Sequence, residues 1–171
     1  MISKGWLIAG LVMVVAVGVA AFVSEGLGSA GGTPAQQLAA WVTRYDLGSS
    51  IGTLTADAAA VDRVAAARAG AGAYHTVCGV LTTDAEAANS NLPTPDTQVT
   101  LWLTQAYDLE YRAGVDCYDA ASSPAKADAS ARGRAQAASY LRRALIRIQA
   151  LTGRSIATTT TTGPGGGGLF G

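Results

Sequence analysis

The stretch Trp6 to Val23, WLIAGLVMVVAVGVAAFV, limits this chain more than any other part of it. Its eighteen residues carry no charge, with Lys4 just before it and Glu25 just after. A helix rises about 1.5 Å per residue, so the run reaches roughly 27 Å, close to one hydrocarbon core. This predicts a transmembrane signal-anchor over residues 1–24. The run exceeds the roughly 7–15 residues of a signal-peptide core. Cleavage after Gly18-Val19-Ala20 or Gly28-Ser29-Ala30 stays open as an alternative and gives a secreted protein. Lys4 and the amino terminus supply the positive charge before the run, which places that end in the cytoplasm. The rest of the chain then lies outside the plasma membrane.

Ser24 to Gly32 is rich in glycine and serine and reads as a linker over residues 25–32. The roughly 120 residues that follow are enough for one core. Aromatic residues make up only 6% of the chain and alanine is abundant, which favours closely packed helices over a sheet. Thr33-Pro34-Ala35-Gln36 has the form of a capping box with proline at the first helical position. Leu38, Trp41, Val42 and Tyr45 then recur at helical spacing. Gly48 and Gly52 weaken the pattern, and Ile51, Leu54, Ala58, Val61, Ala65 and Arg68 resume it. This predicts one helix to about Asp46 and another from about Ser50 to Ala69, or a single kinked one. Past the Gly70–Gly72 turn, Tyr74, Cys78, Leu81, Ala85 and Ala88 mark a further helix.

NSNLPTP, Asn89 to Pro95, breaks the chain, and Thr94 is the expected cap of the next helix. Its stripe reads Trp102, Ala106, Leu109, Ala113 and Cys117, with Asp108, Arg112 and Asp116 as a surface ladder. Ser123-Pro124 opens a last helix that Gly153 ends, with Ala137, Leu141, Ala144, Leu145, Ile148 and Leu151 facing inward. Residues 154–171 read as a disordered Thr/Gly-rich tail, whose threonines Thr158 to Thr162 are candidates for O-glycosylation. The expected fold is all-α: a four-helix-bundle-like domain over residues 33–153 behind the membrane helix.

Cys78 and Cys117 both fall on apolar stripes, and an even pair outside the membrane points to a disulfide. Counted from the NSNLPTP break, the two lie at unequal distances, an offset of roughly 15 Å along ideal antiparallel helices. A disulfide needs Cα atoms within about 7 Å, so either the helices cross or the connection is longer than a tight turn.

Lysine plus arginine and aspartate plus glutamate both number 12, and this neutrality gives no reason to expect nucleic acid as a partner. The charge is nonetheless segregated. Arg132, Arg143, Arg147 and Arg154 project within roughly 60° on the last helix, a candidate basic stripe for anionic lipid or wall polymer. The competing reading is a solvated face partly paired with the acidic helices beside it. His75 stands alone and reads as a half-exposed helix residue. Asp57 with Asp62, and Asp108 with Glu110, read as surface charges. No nucleophile motif, metal set or phosphate loop is present, so no catalysis, cofactor or metal is expected. The role expected instead is structural or protein-interacting in the cell envelope. The alternative is a module holding a lipid or small apolar ligand between Trp41, Trp102 and Tyr140.

The Trp41 helix, the Cys78 helix, the Pro93-x-Pro95-Asp96 turn, Trp102 and a late Cys117 before a long Ala/Arg helix resemble a group of small proteins. These are uncharacterised exported or membrane-anchored helical proteins of actinobacterial, high-GC Gram-positive type. The likeness covers roughly Leu38 to Leu151. It implies an address outside the cytoplasm and a helical fold, and carries no catalytic residues.

Overall fold

The computed structural model describes residues 32–158, and every regular element there is a helix. The membrane-anchor expectation, most of the linker and the tail beyond Thr158 lie outside the described residues. No described helix is long and apolar enough to cross a membrane.

Five helices follow one another: α1 Pro34–Arg44, α2 Leu47–Ala66, α3 Ala71–Asn89, α4 Thr97–Tyr118 and α5 Pro124–Thr152. The four long ones form the bundle, with α2 on α3, α3 on α4 and α4 on α5, while α1 packs on α5 and α2. Local chemistry explains most of the boundaries. Thr33 and Gln36 form the expected reciprocal box, with Gln36 N donating to Thr33 Oγ1 at 3.3 Å and Thr33 N to Gln36 Oε1 at 2.8 Å. Asp46 adopts a left-handed φ of 44° and accepts from Ser49 N, so α1 and α2 are two helices. Ser123 caps α5 with proline behind it, and Gly153 ends it at φ 68°.

The end of α2 departs from this economy. Ala69 N donates to Val64 O and Arg68 N to Ala65 O, a Schellman pattern in which the left-handed position falls on Arg68 at φ 48°. An L side chain there is strained by about 1 kcal/mol relative to glycine. Arg68→Gly should therefore raise stability by about 1 kcal/mol. Urea unfolding checks this, and an unchanged or lower midpoint sinks it.

All five residues expected on the α3 stripe are buried: Tyr74, Cys78, Leu81, Ala85 and Ala88. On α4 the stripe is rotated. Val99, Leu103, Ala106, Tyr107, Glu110, Ala113, Gly114 and Cys117 face inward, leaving Trp102 and Leu109 half-buried. The cap also differs from expectation. Asp96, not Thr94, caps α4, its Oδ1 accepting from Val99 N at 2.8 Å. Thr94 is buried instead: its Oγ1 donates to Asp96 O at 2.7 Å, and its N–H donates to Thr100 Oγ1 at 2.9 Å. This knot of local bonds turns the chain two residues later than a Thr94 cap would.

The Cys78–Cys117 pair is joined, its Cα atoms 5.7 Å apart and both residues fully buried. Two features resolve the offset. A Cβ on Gly114 would strike Thr82 Oγ1 and lie 3.2 Å from Cys78 O, so glycine there lets α3 and α4 approach closely. That contact and the bridge share one antiparallel register, which puts Asn89 level with Ala106. The first nine residues of α4 thus project roughly 13 Å past the end of α3. Residues 90–96 continue outward along that overhang to the start of α4, and Trp41 Nε1 donates to Asn91 O there at 3.3 Å.

The segment after Gly153 is partly packed. Ile156 is half-buried against the core, and a Cβ on Gly48 would meet Ala157 O at 2.5 Å. Gly48, which weakens the helical pattern in the sequence, is the space in which that strand of backbone sits.

Candidate functional site

Charged and polar groups from all four long helices converge in one layer of the bundle. α2 supplies Asp57 and Asp62, α3 Asp84, α4 Glu110, and α5 Ser130 and Arg134. Glu110 is 3% exposed and Arg134 9%. The expectation that Asp57 and Glu110 are surface charges is therefore corrected, because the rotated α4 stripe carries Glu110 inward and Asp57 is half-buried.

The hydrogen bonds in this layer are unevenly shared. Ser130 Oγ donates to Ala113 O at 2.8 Å and accepts from Arg134 Nη1 at 2.7 Å. Arg134 Nη2 pairs with Asp62 Oδ1, whose side chain is 68% exposed. The guanidinium is thus drawn toward the α2 edge. Glu110 Oε2 and Asp57 Oδ2 are buried without a hydrogen-bond partner. Burial pushes the Glu110 carboxyl up to about 7, with Arg134 opposing the rise and Asp57 and Asp62 adding to it. Burial likewise pushes Asp57 up to about 7, helped by a hydrogen bond shared with Asp84 and by the Asp84 charge. The layer holds protons into the neutral range.

The expected basic stripe is not one row. Arg147 turns to Asp96, with Nε to Oδ1 and Nη2 to Oδ2 both at 2.8 Å, a bidentate pair that holds the Asp96 carboxyl below the usual carboxylate range. Arg154 follows the left-handed Gly153 and leaves the helix, lining a shallow 540 Å³ cleft with Gln36, Thr43 and Arg44. Arg132 and Arg143 remain exposed on α5, the latter with its guanidinium 5.5 Å from the Tyr140 ring centroid. On the α4 ladder, Asp116 pairs with Lys126 of α5 at 2.6 Å.

A 240 Å³ cleft lies among α1, the end of α5 and the segment after it, lined by Val42, Asp46, Ile148, Arg154 and Ile156. Trp41, Trp102 and Tyr140, expected to enclose a ligand space, do not line it. Trp41 is buried and lies 5.4 Å from the Tyr45 ring.

The outer flank of α4 carries a second apolar stripe. Tyr111, Val115 and Tyr118 recur at i, i+4 and i+7 and are 38%, 47% and 38% exposed. The Tyr118 ring stands 5.2 Å from exposed His75 of α3, and its hydroxyl lies over Gly79. Sequence reading missed both this stripe and the polar layer. The signal for the layer was present: Glu110 lies four residues from Ala106, three from Ala113 and seven from both Leu103 and Cys117. Among the described residues no group of histidine, cysteine, aspartate and glutamate side chains is arranged to hold a metal ion. No protein family, curated protein or solved structure matches this chain.

Proposed function

We propose that this chain is a non-catalytic interaction module of the cell envelope, tethered to the plasma membrane by its N-terminal segment. The exposed Tyr111–Val115–Tyr118 stripe on α4 carries the reading. Tyrosine combines a large apolar face with a polar tip and is enriched where proteins meet. Two tyrosines with Val115 between them, along about 10 Å of one helix and flanked by His75, offer a partner protein a continuous ridge. The buried Cys78–Cys117 bridge supports an oxidising compartment for this domain. The apolar Trp6–Val23 run supports the tether.

A photo-crosslinking residue at Val115, in the full chain in its own membranes, tests the reading. A discrete crosslinked partner should form there and not from a probe at Arg132 on α5. Tyr111→Ser with Tyr118→Ser should remove it. No product at Val115, or an equal yield from Arg132, sinks the proposal. Thiol alkylation of the same unreduced membranes should leave Cys78 and Cys117 unmodified.

A further inference from the structure

The polar layer, the two ends of α2 and the thin anchoring of that helix combine into a device that goes beyond docking. We infer that α2 is an acid-held flap: the buried, unpartnered Asp57 and Glu110 carboxyls keep it packed on the bundle while they are neutral, and their ionisation as the medium turns from acid to mildly alkaline loosens it.

The charge inventory leads to this. Four carboxyls, Asp57 and Asp62 of α2, Asp84 of α3 and Glu110 of α4, face one cation, Arg134 of α5. That cation spends its hydrogen bonds on Ser130 and Asp62. Glu110 Oε2 and Asp57 Oδ2 are left buried with no donor. An ionised carboxylate in such a place loses its hydration and gains nothing, whereas a neutral carboxyl tolerates burial. Asp57 also lies against the Asp84 carboxyl, and a proton on Asp57 relieves the repulsion between the two. Tyr107, one turn from Glu110, is buried with its phenol pushed well above the usual range, so it stays neutral and adds no further negative charge. His75 is exposed beside Tyr118 and does not enter the layer.

α2 is the helix able to respond. Left-handed residues bound it at both ends, Asp46 at φ 44° and Arg68 at φ 48°. Past Leu54 its only buried residue is Val61. It packs chiefly on α3, and the Arg134–Asp62 ion pair ties it to α5. Ionising Asp57 and Glu110 sets like charges within electrostatic reach of each other, on a helix with one buried residue past Leu54.

The sign follows from linkage. A carboxyl whose folded pKa is raised stabilises fully below its unfolded value and loses that contribution as pH rises through the folded value. Here the loss runs from the ordinary carboxylate range up to about 7 and levels off above it.

The test uses the full chain in lipid nanodiscs, with thermal unfolding followed by near-ultraviolet circular dichroism. Amide exchange over residues 47–66 is measured alongside it and corrected for the intrinsic pH dependence of exchange. Between about pH 5.5 and about pH 8 the midpoint should fall by roughly 5–10 °C, with α2 losing protection before α3 and α4. Glu110→Gln mimics the neutral carboxyl and should remove at least half of that fall, and Asp57→Asn should remove part of the rest. A wild-type midpoint that is flat or rising over this range overturns the inference, as does an undiminished slope in Glu110→Gln. Protection in α2 equal to that in α3 at the alkaline end overturns it too. So does failure of Glu110→Gln to fold, because the packed state would then require the charge.

Discussion

Replacing both Cys78 and Cys117 by alanine should lower the thermal midpoint of the domain by roughly 15 °C. The bridge spans 39 residues of sequence, a loop whose closure removes about 4 kcal/mol of unfolded-state entropy in the chain-entropy description. A domain of this size has roughly 5–15 kcal/mol in total, so the loss is a large share. The core leaves little to offset it. Of the 21 buried hydrophobic residues among those described, six are alanine: Ala85, Ala88, Ala106, Ala113, Ala137 and Ala144. The bridge ties α3 to α4 where Gly114 brings their backbones together, so its removal also releases the tightest helix contact. Urea unfolding should show a lower midpoint, together with a steeper slope from a more open unfolded chain. A shift of only a few degrees would mean that the helices hold their register without the link.

Much of the helical order was written locally. Thr33 with Gln36, Ser123 with Pro124, and Gly153 each act over one turn of chain, and each does in the structure what its neighbours imply. α3 was legible for a related reason: Tyr74, Cys78, Leu81, Ala85 and Ala88 give an unambiguous 3–4 spacing. What could not be read depended on groups distant in sequence. Thr94 has the right neighbour for a cap, but its hydroxyl is taken up by Asp96 O and by Thr100 Oγ1, a turn into α4, which leaves the role to Asp96. Arg147 looks free on a helical wheel until α5 is laid antiparallel to α4, which brings Asp96 to it. The phase of α4 was misread because Trp102 and Leu109 are larger and more apolar than Tyr107, Glu110 and Gly114, which face inward. Size argued for one face and the helix partners selected the other. Glu110 was discounted for its charge, although its spacing placed it on the core side. The tail was read by composition alone, which hides Ile156, an apolar residue close enough to Gly153 to fold back on Gly48.

Arg134→Met should cost about 3 kcal/mol near pH 8, because removing one member of a buried charged set strands the others. Arg134 is the cation within electrostatic reach of Glu110, where it opposes the effect of burial. Methionine fills much of the same volume without a charge, so the loss is electrostatic more than steric. Asp62 regains water because its side chain is mostly exposed, and Ser130 keeps Ala113 O as its acceptor. Glu110 has neither escape. In mild acid Glu110 is protonated, and most of the penalty should disappear, leaving the lost Ser130 and Asp62 bonds. The substitution should therefore steepen the decline in stability with rising pH, the opposite of Glu110→Gln. Combining the two removes the cation together with the anion it serves, and the double variant should recover about 2 kcal/mol relative to the sum of the singles at the alkaline end. Urea unfolding of the four chains at the two pH values measures that coupling. Additive costs at both values would show that Arg134 and Glu110 act independently, and would leave Arg134 as a tether for Asp62 and Ser130 alone.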